Sequence, residues 1–312
     1  MIDLNFKFVA SHRDVYLPAF RIFSRRVSIS HLLPKVSRLI NRYLYRLGVA
    51  SCLNRYDNSF TIYSSRADKK LYHGFGENDL FINFGSGAFF HNKWKNYDYP
   101  GQSIYYKCLQ GAESRDFYAI DLCADSLVIP EKDASVSLIY CSHTLEHLEE
   151  ASAKHFLKEC HRILRPNGVM RIALPNTRND AYFYDCLSRQ SKCVEEIKTN
   201  YLMSAAGHIL SDAKRIAKHE IEELFRTADN ESKRFFEIMK EKDKSASKFD
   251  GSNPERHITY WDFEGLMAIA EKIGFKFLAP VYPGASMAAP FTNINVFDNT
   301  EPHQSFYAEI VK

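Results

Sequence analysis

Residues 79–87 read DLFINFGSG, a short apolar run that ends in two closely spaced glycines. The run over residues 80–84 has the length and the apolar character of a buried strand. Because glycine has no Cβ, Gly85 and Gly87 allow the chain to turn sharply and allow a ligand to approach the backbone. The stretch therefore predicts the first strand of a sheet, followed by a turn suited to binding.

Beyond this turn, short strands alternate with helices along the chain. Three further strands are predicted at residues 116–122, 136–141 and 168–175. An amphipathic helix over residues 145–164 separates the last two strands and ends before the Pro-Asn-Gly at residues 166–168. Such alternation requires right-handed crossovers, so it predicts an α/β fold: a Rossmann-like, doubly wound, mostly parallel sheet with helices on both faces.

The C-terminal part of the chain predicts an edge for this sheet. A helix over residues 261–273 is expected to be capped by Gly274. It is followed by a strand at residues 275–279 and by a last strand at residues 305–311. This closing pair is expected to form an antiparallel hairpin at the sheet edge.

The remaining segments are helical in pattern and lie outside the sheet. Residues 179–251 are highly charged and almost free of Gly and Pro, which predicts an insertion of two or three helices over one sheet edge. Residues 1–70 form a basic extension with an amphipathic helix at residues 36–47. The expected organisation is this helical extension followed by an α/β domain over residues 71–312 that carries the insertion.

Composition indicates a packed protein of a reducing compartment. Of the 312 residues, 45% are apolar and 25% are charged, which excludes a disordered or collagen-like chain. No run approaches the roughly 18–20 apolar residues that a membrane span needs, and residues 1–8 lack the pattern of a secretion signal. The seven cysteines are odd in number and include no CxxC pair, which favours free thiols over disulfides or a zinc ribbon. We expect a cytoplasmic protein.

Positive charge is concentrated near the N-terminus. Residues 11–55 contain nine Lys or Arg and one Asp, whereas the whole chain has a net charge of only +3. Such a segment packs on an acidic face of its own protein or meets an anionic partner, such as the inner membrane surface or a phosphorylated glycan carrier. No nucleic-acid recognition module accompanies the basic residues, so a nucleic-acid partner is not expected.

Acidic side chains are placed where a nucleoside could bind. In an open parallel sheet, ligands bind beyond the carboxyl ends of the strands, where the winding changes direction. Asp98 could accept two hydrogen bonds from a ribose diol, or it could begin the turn at residues 100–101. Asp121, which follows an apolar strand, or Asp125 could accept from the amino group of an adenine. A surface turn is the other reading of Asp125.

Taken together, these segments resemble the class I S-adenosylmethionine-dependent methyltransferases, in particular the type 11 branch often found with polysaccharide biosynthesis. The matching segments are INFGSG (82–87), WKNYD (94–98), AIDL (119–122), IPEKDASVSLIYCSHTLEHL (129–148), LKECHRILRPNGVMRIALPN (157–176), HITYWDFEGLMAIAEKIGF (257–275) and HQSFYAEIVK (303–312). They lie within residues 79–177 and 255–312, which together make up roughly half of the chain. Their order and spacing are more specific than any one of the motifs.

The resemblance implies S-adenosylmethionine as the cofactor and assigns residues to it. Gly85 and Gly87 would border the methionine part, Asp98 would hold the ribose, and Asp121 and Leu122 would flank the adenine. The full set of residues assigned to the cofactor is Asn83, Gly85, Ser86, Gly87, Asp98, Asp121, Leu122 and Ser142.

The chain departs from the family pattern in two respects. Asn83 stands where most members of the superfamily have an acidic residue. The two glycines are also too close to the WKNYD segment for a full crossover helix and strand between them. The first strand–helix–strand unit is therefore expected to be abbreviated.

Residues 142–147 read SHTLEH and carry the densest group of reactive side chains. If a helix begins by His143, then His143, Glu146 and His147 share one face. Read as HxxEH, the segment matches the inverted zinc-protease helix. The segment also resembles the ExxEH element of some metal-assisted O-methyltransferases, such as those that make ubiquinone or modify small-RNA ends. In that reading it could bind a divalent cation, with His143 replacing the first carboxylate. In the third reading, which we favour, no metal is bound: His143 is a general base, and Glu146 and His147 orient the loop.

The proposed chemistry leads to a predicted substrate class. A sulfonium methyl is already activated, and a hydroxyl acceptor benefits from a base tuned near neutral pH, which His143 would supply. O-methylation of a sugar, a glycan intermediate or a related small molecule is therefore predicted. The candidate substrate-binding residues are Arg256, His257 and Tyr260. Arg256 could instead be an ordinary surface cation, and Tyr260 could instead pack the start of a helix. Two alternatives stay open: a catalytically silent subunit that binds the same cofactor, and an HxxEH metallohydrolase.

Overall fold

A computed structural model describes the α/β part of the chain. The described residues are 70–87, 91, 93–101, 117–179, 195–293, 296–298, 300, 302 and 304–312. The basic segment at residues 11–55, with its amphipathic helix, lies outside them. Within the described part, none of the helices combines the length and the apolar composition that crossing a bilayer needs.

The described residues contain seven strands that form one mixed sheet. The strands are β1 (Leu80–Phe84), β2 (Trp94–Asp98), β3 (Tyr118–Ala119), β4 (Val136–Ser142), β5 (Leu164–Pro175), β6 (Phe277–Val281) and β7 (Ser305–Val311). Their order across the sheet is β3-β2-β1-β4-β5-β7-β6. Strands β1 to β5 pair in parallel, whereas β7 runs antiparallel to both β5 and β6. The predicted α/β sheet with an antiparallel edge is confirmed.

The central strands are apolar on both faces because both faces of the sheet are covered. Ile82 and Ile139 point into one core cluster, while Phe81 and Leu138 point into another. On the second face, the described residues that cover the sheet include Tyr72, Ala288, Phe291, Val296 and Phe297. This leaves the carboxyl ends of β1, β2 and β4 as the accessible edge for a ligand.

Helices of the described residues cover the first face and build the insertion. They are α1 (Glu150–Ile163), α2 (Glu195–Ile209), α3 (Lys218–Thr227), α4 (Ser232–Lys242) and α5 (Phe263–Ile273). Helix α5 begins where the Asp262 carboxylate accepts from the Gly265 amide at 2.7 Å, and it ends at Gly274, whose φ of +108° few other residues adopt. Helices α1 and α5 both contribute to the core cluster that contains Ile82.

The insertion has a hydrophobic core of its own. Helices α2, α3 and α4 contribute to one cluster of buried side chains, separate from those on the sheet. Phe225 of α3 and Phe235 of α4 stack with their ring centroids 4.2 Å apart. The helices lie within the predicted range of residues 179–251.

The predicted helix over residues 145–164 is divided into two parts. A single 3-10 turn covers Leu145–His147, and α1 begins only at Glu150 after an extended stretch. The hydroxyl of Thr259 donates to the carbonyls of Leu145 and Leu148, at 3.0 Å each. In a continuous helix, these carbonyls would accept from amides of the helix itself. Here the returning chain at Thr259 bonds to them, and a short 3-10 turn stands in place of the first turns of the helix.

Four predicted strands differ from the observed ones in length or position: β4 extends one residue further, to Ser142, and β5 begins at Leu164 instead of residue 168. The strand expected at residues 116–122 shortens to Tyr118–Ala119 in the described part, because Asp121 begins a turn in which its carboxylate accepts from the Cys123 amide at 2.9 Å. The strand expected at residues 275–279 is shifted to Phe277–Val281. The WKNYD segment forms β2 and pairs directly with β1, so the first crossover is short, as expected.

Candidate functional site

A pocket opens at the carboxyl ends of β1, β2 and β4 and encloses about 690 Å³, including its mouth. The sheet order places β1 between β2 and β4, so the chain leaves β1 toward one side and returns to β4 on the other. This is the switch point at which open α/β sheets bind ligands. Residues after each of these strands line the pocket: Gly85, Gly87, Asp98, His143 and Thr144.

The glycine turn after β1 forms the floor of the pocket. Gly85 and Gly87 have φ values of +64° and +50°, in the left-handed region that glycine enters at little cost. A Cβ on Gly85 would overlap Oγ1 of Thr144 and would lie 2.9 Å from its Cγ2. Glycine is therefore required at Gly85 both by the backbone conformation and by the close approach of Thr144.

Asp98, the last residue of β2, is held beside this turn. Its carboxylate accepts from the Gly87 amide at 2.7 Å, from the Ser86 hydroxyl at 3.3 Å and from the Tyr99 amide at 2.8 Å. Asp98 also lines the pocket, so its carboxylate borders the space in which a ligand would bind. Ser86 does not line the pocket itself and acts through Asp98.

The loop after β3 forms the next part of the wall. Asp121 and Leu122 both line the pocket; Asp121 is exposed, whereas Leu122 is buried. Asp125 is exposed and is not among the lining residues, which agrees with its reading as a surface turn.

Two residues assigned to the cofactor from the sequence lie away from the pocket lining. Asn83 is buried in β1 and donates to the side-chain oxygen of Asn96 at 3.4 Å. Ser142 ends β4 beside Ala173 of β5. Their place in the sheet gives neither residue a position on the pocket wall.

His143 lines the pocket but is not part of a helix. Its φ is +50°, and its amide donates to the Ala173 carbonyl at 2.9 Å. The zinc-protease reading requires His143 on a helix, so this geometry contradicts that reading. The imidazole Nδ1 lies 3.2 Å from Oε1 of Glu146, and Nε2 lies 2.8 Å from the Ser305 hydroxyl. Sequence analysis missed Ser305, because it is 162 residues away along the chain.

Glu146 is a buried carboxylate surrounded by imidazoles. Burial alone would raise its pKa, but the neighbouring His143 and, more weakly, His147 and His257 lower the pKa to about 2. Glu146 is 2% exposed and does not line the pocket. It is therefore ionised near neutral pH and acts behind the pocket wall.

His147 and His257 face each other, with ring centroids 5.1 Å apart. Nδ1 of His147 lies 2.9 Å from the Arg256 carbonyl, and Nδ1 of His257 lies 2.8 Å from the His208 carbonyl. Burial and, to a smaller extent, the nearby His147 lower the pKa of His257 to about 3, so this imidazole is neutral near neutral pH. His147 lines the pocket, whereas His257 lies behind it.

The other two candidate substrate residues are directed elsewhere. Arg256 forms an ion pair with Asp212 of the insertion, and its side chain is 13% exposed. Tyr260 packs against the helical core of the insertion, with its ring 6.1 Å from that of Phe236. Neither residue lines the pocket. Their positions support roles in docking the insertion, not in binding a substrate in this pocket.

The mouth of the pocket includes residues that sequence analysis did not select. The rings of Tyr99 and Phe249 meet edge to face with centroids 5.4 Å apart, and Pro254 and Glu255 lie beside them. The amide of Phe249 donates to Glu149 at 3.2 Å, which attaches the end of the insertion to the start of α1. Tyr99 and Phe249 could not be selected from the sequence, because nothing in the local pattern distinguishes them from the many other aromatic residues of the chain.

Residues 92–172 match the family described as "Methyltransferase domain". The matched segment covers about a quarter of the chain. It includes Asp98, Asp121 and His143, all of which line the pocket. The match supports the resemblance to class I methyltransferases and does not reach the polysaccharide branch.

Solved structures that resemble the chain include S-adenosylmethionine-dependent methyltransferases from Aquifex aeolicus, Archaeoglobus fulgidus and Mesorhizobium loti. Their sequence identities are 12%, 12% and 14%, and their TM-scores are 0.33, 0.38 and 0.36. The matches cover 78%, 95% and 79% of this chain and 87%, 100% and 98% of the respective structures. At these TM-scores the likeness carries no argument about function. None of the curated proteins matches the chain in sequence.

Proposed function

We propose that the protein is an S-adenosylmethionine-dependent methyltransferase that binds its donor in the pocket at the switch point. The observation that carries this proposal is the Asp98 carboxylate, fixed by the Gly87 amide at 2.7 Å beside a left-handed glycine turn. The match of residues 92–172 to a methyltransferase domain supports it.

The pocket residues fit the chemistry of this donor. The side chains of Asp98 and Asp121 both line the pocket, and carboxylates are the acceptors that ribose hydroxyls and an exocyclic amine require. Leu122 provides an apolar contact for a flat base. Gly85 lines the pocket and packs closely against Thr144, so its bare backbone is the part of this turn that could contact the methionine part.

The residues of the chain mainly bind, orient and exclude water. When bound, S-adenosylmethionine supplies a methyl group on a positively charged sulfur, which keeps the bonding electrons as the methyl leaves. A hydroxyl acceptor loses its proton as its oxygen bonds the methyl carbon, and we propose that His143, which lines the pocket, receives that proton at Nε2, the nitrogen that otherwise contacts the Ser305 hydroxyl. Glu146, ionised and 3.2 Å from Nδ1 of His143, stabilises the resulting imidazolium.

We further propose that the acceptor is a hydroxyl-rich small molecule such as a sugar or glycan intermediate. The aromatic pair Tyr99 and Phe249 offers apolar ring faces at the mouth of the pocket, and Glu255 offers hydrogen-bond acceptors. This combination suits a sugar ring, which has apolar faces and hydroxyls around its edge.

The first test is donor binding by isothermal titration with S-adenosylhomocysteine. We expect the wild-type chain to bind and Asp98→Ala to bind about 10–100-fold more weakly, because each hydrogen bond to a charged group contributes roughly 1.5–3 kcal/mol. Asp125→Ala, which removes an exposed carboxylate outside the pocket lining, is the matched control and should bind like wild type. Absence of binding by the folded wild-type chain would refute the proposal.

A second test concerns the base. His143→Gln should lower kcat by about 10²–10⁴-fold, the usual range for loss of a general base, with little change in donor affinity. Ser305→Ala removes only the hydroxyl that contacts Nε2 and should change kcat less than 10-fold. Release of S-adenosylhomocysteine is measured across panels of sugars and of amines. Unchanged turnover by His143→Gln, or turnover with amines alone, would contradict His-assisted O-methylation.

A further inference from the structure

Behind the pocket wall, three metal-ligating side chains converge on one point. Candidate ligand atoms of Glu146, His147 and His257 all lie within 4.8 Å of one another. His147 and Glu146 come from the turn after β4, whereas His257 comes from the chain that returns from the insertion. The tertiary fold, not local spacing, assembles this group.

The backbone sets the tautomer of both imidazoles. A carbonyl can only accept, so the contacts of Nδ1 of His147 with the Arg256 carbonyl and of His257 with the His208 carbonyl place a proton on each Nδ1. In a neutral ring, Nε2 then carries a lone pair and no proton. Ligating histidines in metal sites are held in the same way, with the second nitrogen donating to a carbonyl or a carboxylate.

The Glu146 carboxylate faces these lone pairs, and Nδ1 of His143, 3.2 Å from Oε1, is close enough for electrostatic attraction but is not aligned for a hydrogen bond. The side chain of Glu146 is 3% exposed, and neither of its oxygens has a hydrogen-bond partner of acceptable geometry. Oε1 lies 4.0 Å from Nε2 of His147. A buried carboxylate beside two imidazole lone pairs is an arrangement that a shared cation stabilises.

We propose that Glu146, His147 and His257 bind one divalent transition-metal ion, with zinc as the first probe. Two imidazole nitrogens and one carboxylate form a ligand set of catalytic zinc sites, in which the fourth position stays open for water or substrate. His143, which the sequence placed in the set, is not part of the group of side chains whose ligand atoms lie within 4.8 Å of one another.

The location gives the ion a role in the proposed reaction. Of the three proposed ligands, His147 lines the pocket and the other two do not, so an ion held by this set would lie directly behind the pocket wall. An acceptor hydroxyl in the open position would have a lower pKa and would lose its proton more readily. This role rests on the proposed methyltransferase function, whereas binding of the ion does not.

The experiment is zinc binding by the full chain after treatment with a chelator. Titration against a zinc-sensitive dye should give one ion per wild-type chain, and cobalt should give the absorption of a tetrahedral site. His257→Ala and Glu146→Gln should lower the affinity by more than the roughly 10–100-fold that loss of an outer partner causes. His219→Ala, which removes an exposed imidazole from α3, should bind like wild type. His143→Ala should keep the one-ion stoichiometry.

The outcomes separate this site from the donor site. No zinc binding by wild type, or equal affinity for His257→Ala and His219→Ala, would overturn the metal assignment while leaving donor binding untouched. Loss of binding in His143→Ala but not in His257→Ala would assign the ion to the sequence-predicted set instead. Circular dichroism and S-adenosylhomocysteine titration of each variant establish that the α/β domain is folded. If zinc binds and S-adenosylhomocysteine does not, the proposed function fails and the metal site stands.

Discussion

Replacing Arg171 with methionine is expected to lower the free energy of unfolding by about 3–5 kcal/mol, the usual cost of removing one partner from a buried ion pair. Arg171 lies in β5 and is completely buried. Its guanidinium donates to Asp298 at 2.9 and 2.5 Å and to Glu309 of β7 at 2.8 Å. Methionine fills a similar volume but leaves the buried carboxylates of Asp298 and Glu309 without the cation that pairs with both of them.

The surrounding groups cannot replace the lost cation. Arg171 also donates to the carbonyls of Ala285 and Tyr282, at 2.9 and 3.0 Å, and these acceptors would lose their donor as well. Burial already raises the pKa of Asp298 against the pull of Arg171, so loss of the guanidinium favours protonation of this carboxyl. Urea unfolding followed by circular dichroism measures the effect.

The matched control is Arg178→Met at the surface. Arg178 pairs with Glu264 at 2.8 Å, but both side chains are more than half exposed. Exposed pairs contribute about 0–1 kcal/mol, so this variant should unfold close to wild type. Equal losses in the two variants, or a loss below about 1 kcal/mol for Arg171→Met, would show that the buried network does not hold the β5–β7 junction.

Gly85→Ala is expected to weaken S-adenosylhomocysteine binding by at least about 100-fold. The new Cβ overlaps Oγ1 of Thr144, and the φ of +64° costs a residue with a Cβ roughly 1–2 kcal/mol. Overpacking of this kind costs a further 1–3 kcal/mol or so. Relief requires the turn or Thr144 to move, and both form part of the pocket. Isothermal titration measures the loss of affinity.

Two further variants separate the clash from general damage. Gly74→Ala, where an added Cβ meets nothing within 4 Å, should bind like wild type. Gly85→Ala combined with Thr144→Ala should recover part of the affinity, because the overlapping hydroxyl is gone while the backbone strain remains. Failure of Gly85→Ala to weaken binding would remove the glycine turn from the donor site.

Most of the sheet could be predicted from local sequence. The strands at Leu80–Phe84 and Ser305–Val311 were predicted at their observed ends, because each is a short apolar or alternating run between turn residues. The cap at Gly274 was predicted for the same kind of reason, since a left-handed residue ends a helix locally.

Prediction of secondary structure from the local pattern failed where a distant segment forms hydrogen bonds with the same backbone groups. Residues 145–164 have helical spacing, yet Thr259 takes two of the carbonyls that a continuous helix would use. In the site, Asp98, Asp121 and His143 line the pocket that their positions after strands predicted. The cofactor and catalytic roles of these residues stay predictions until donor binding and turnover are measured.

The sequence by itself predicted the alternation of strands and helices and the placing of glycine and acidic residues at strand ends. These features depend on periodicity and on the conformations that single residues allow. Only the tertiary structure decided which side chains share a site. It brought Ser305 to His143, His257 to Glu146, and Phe249 to the mouth of the pocket. These contacts join residues about 100 or more positions apart, and no local spacing encodes the packing that brings them together.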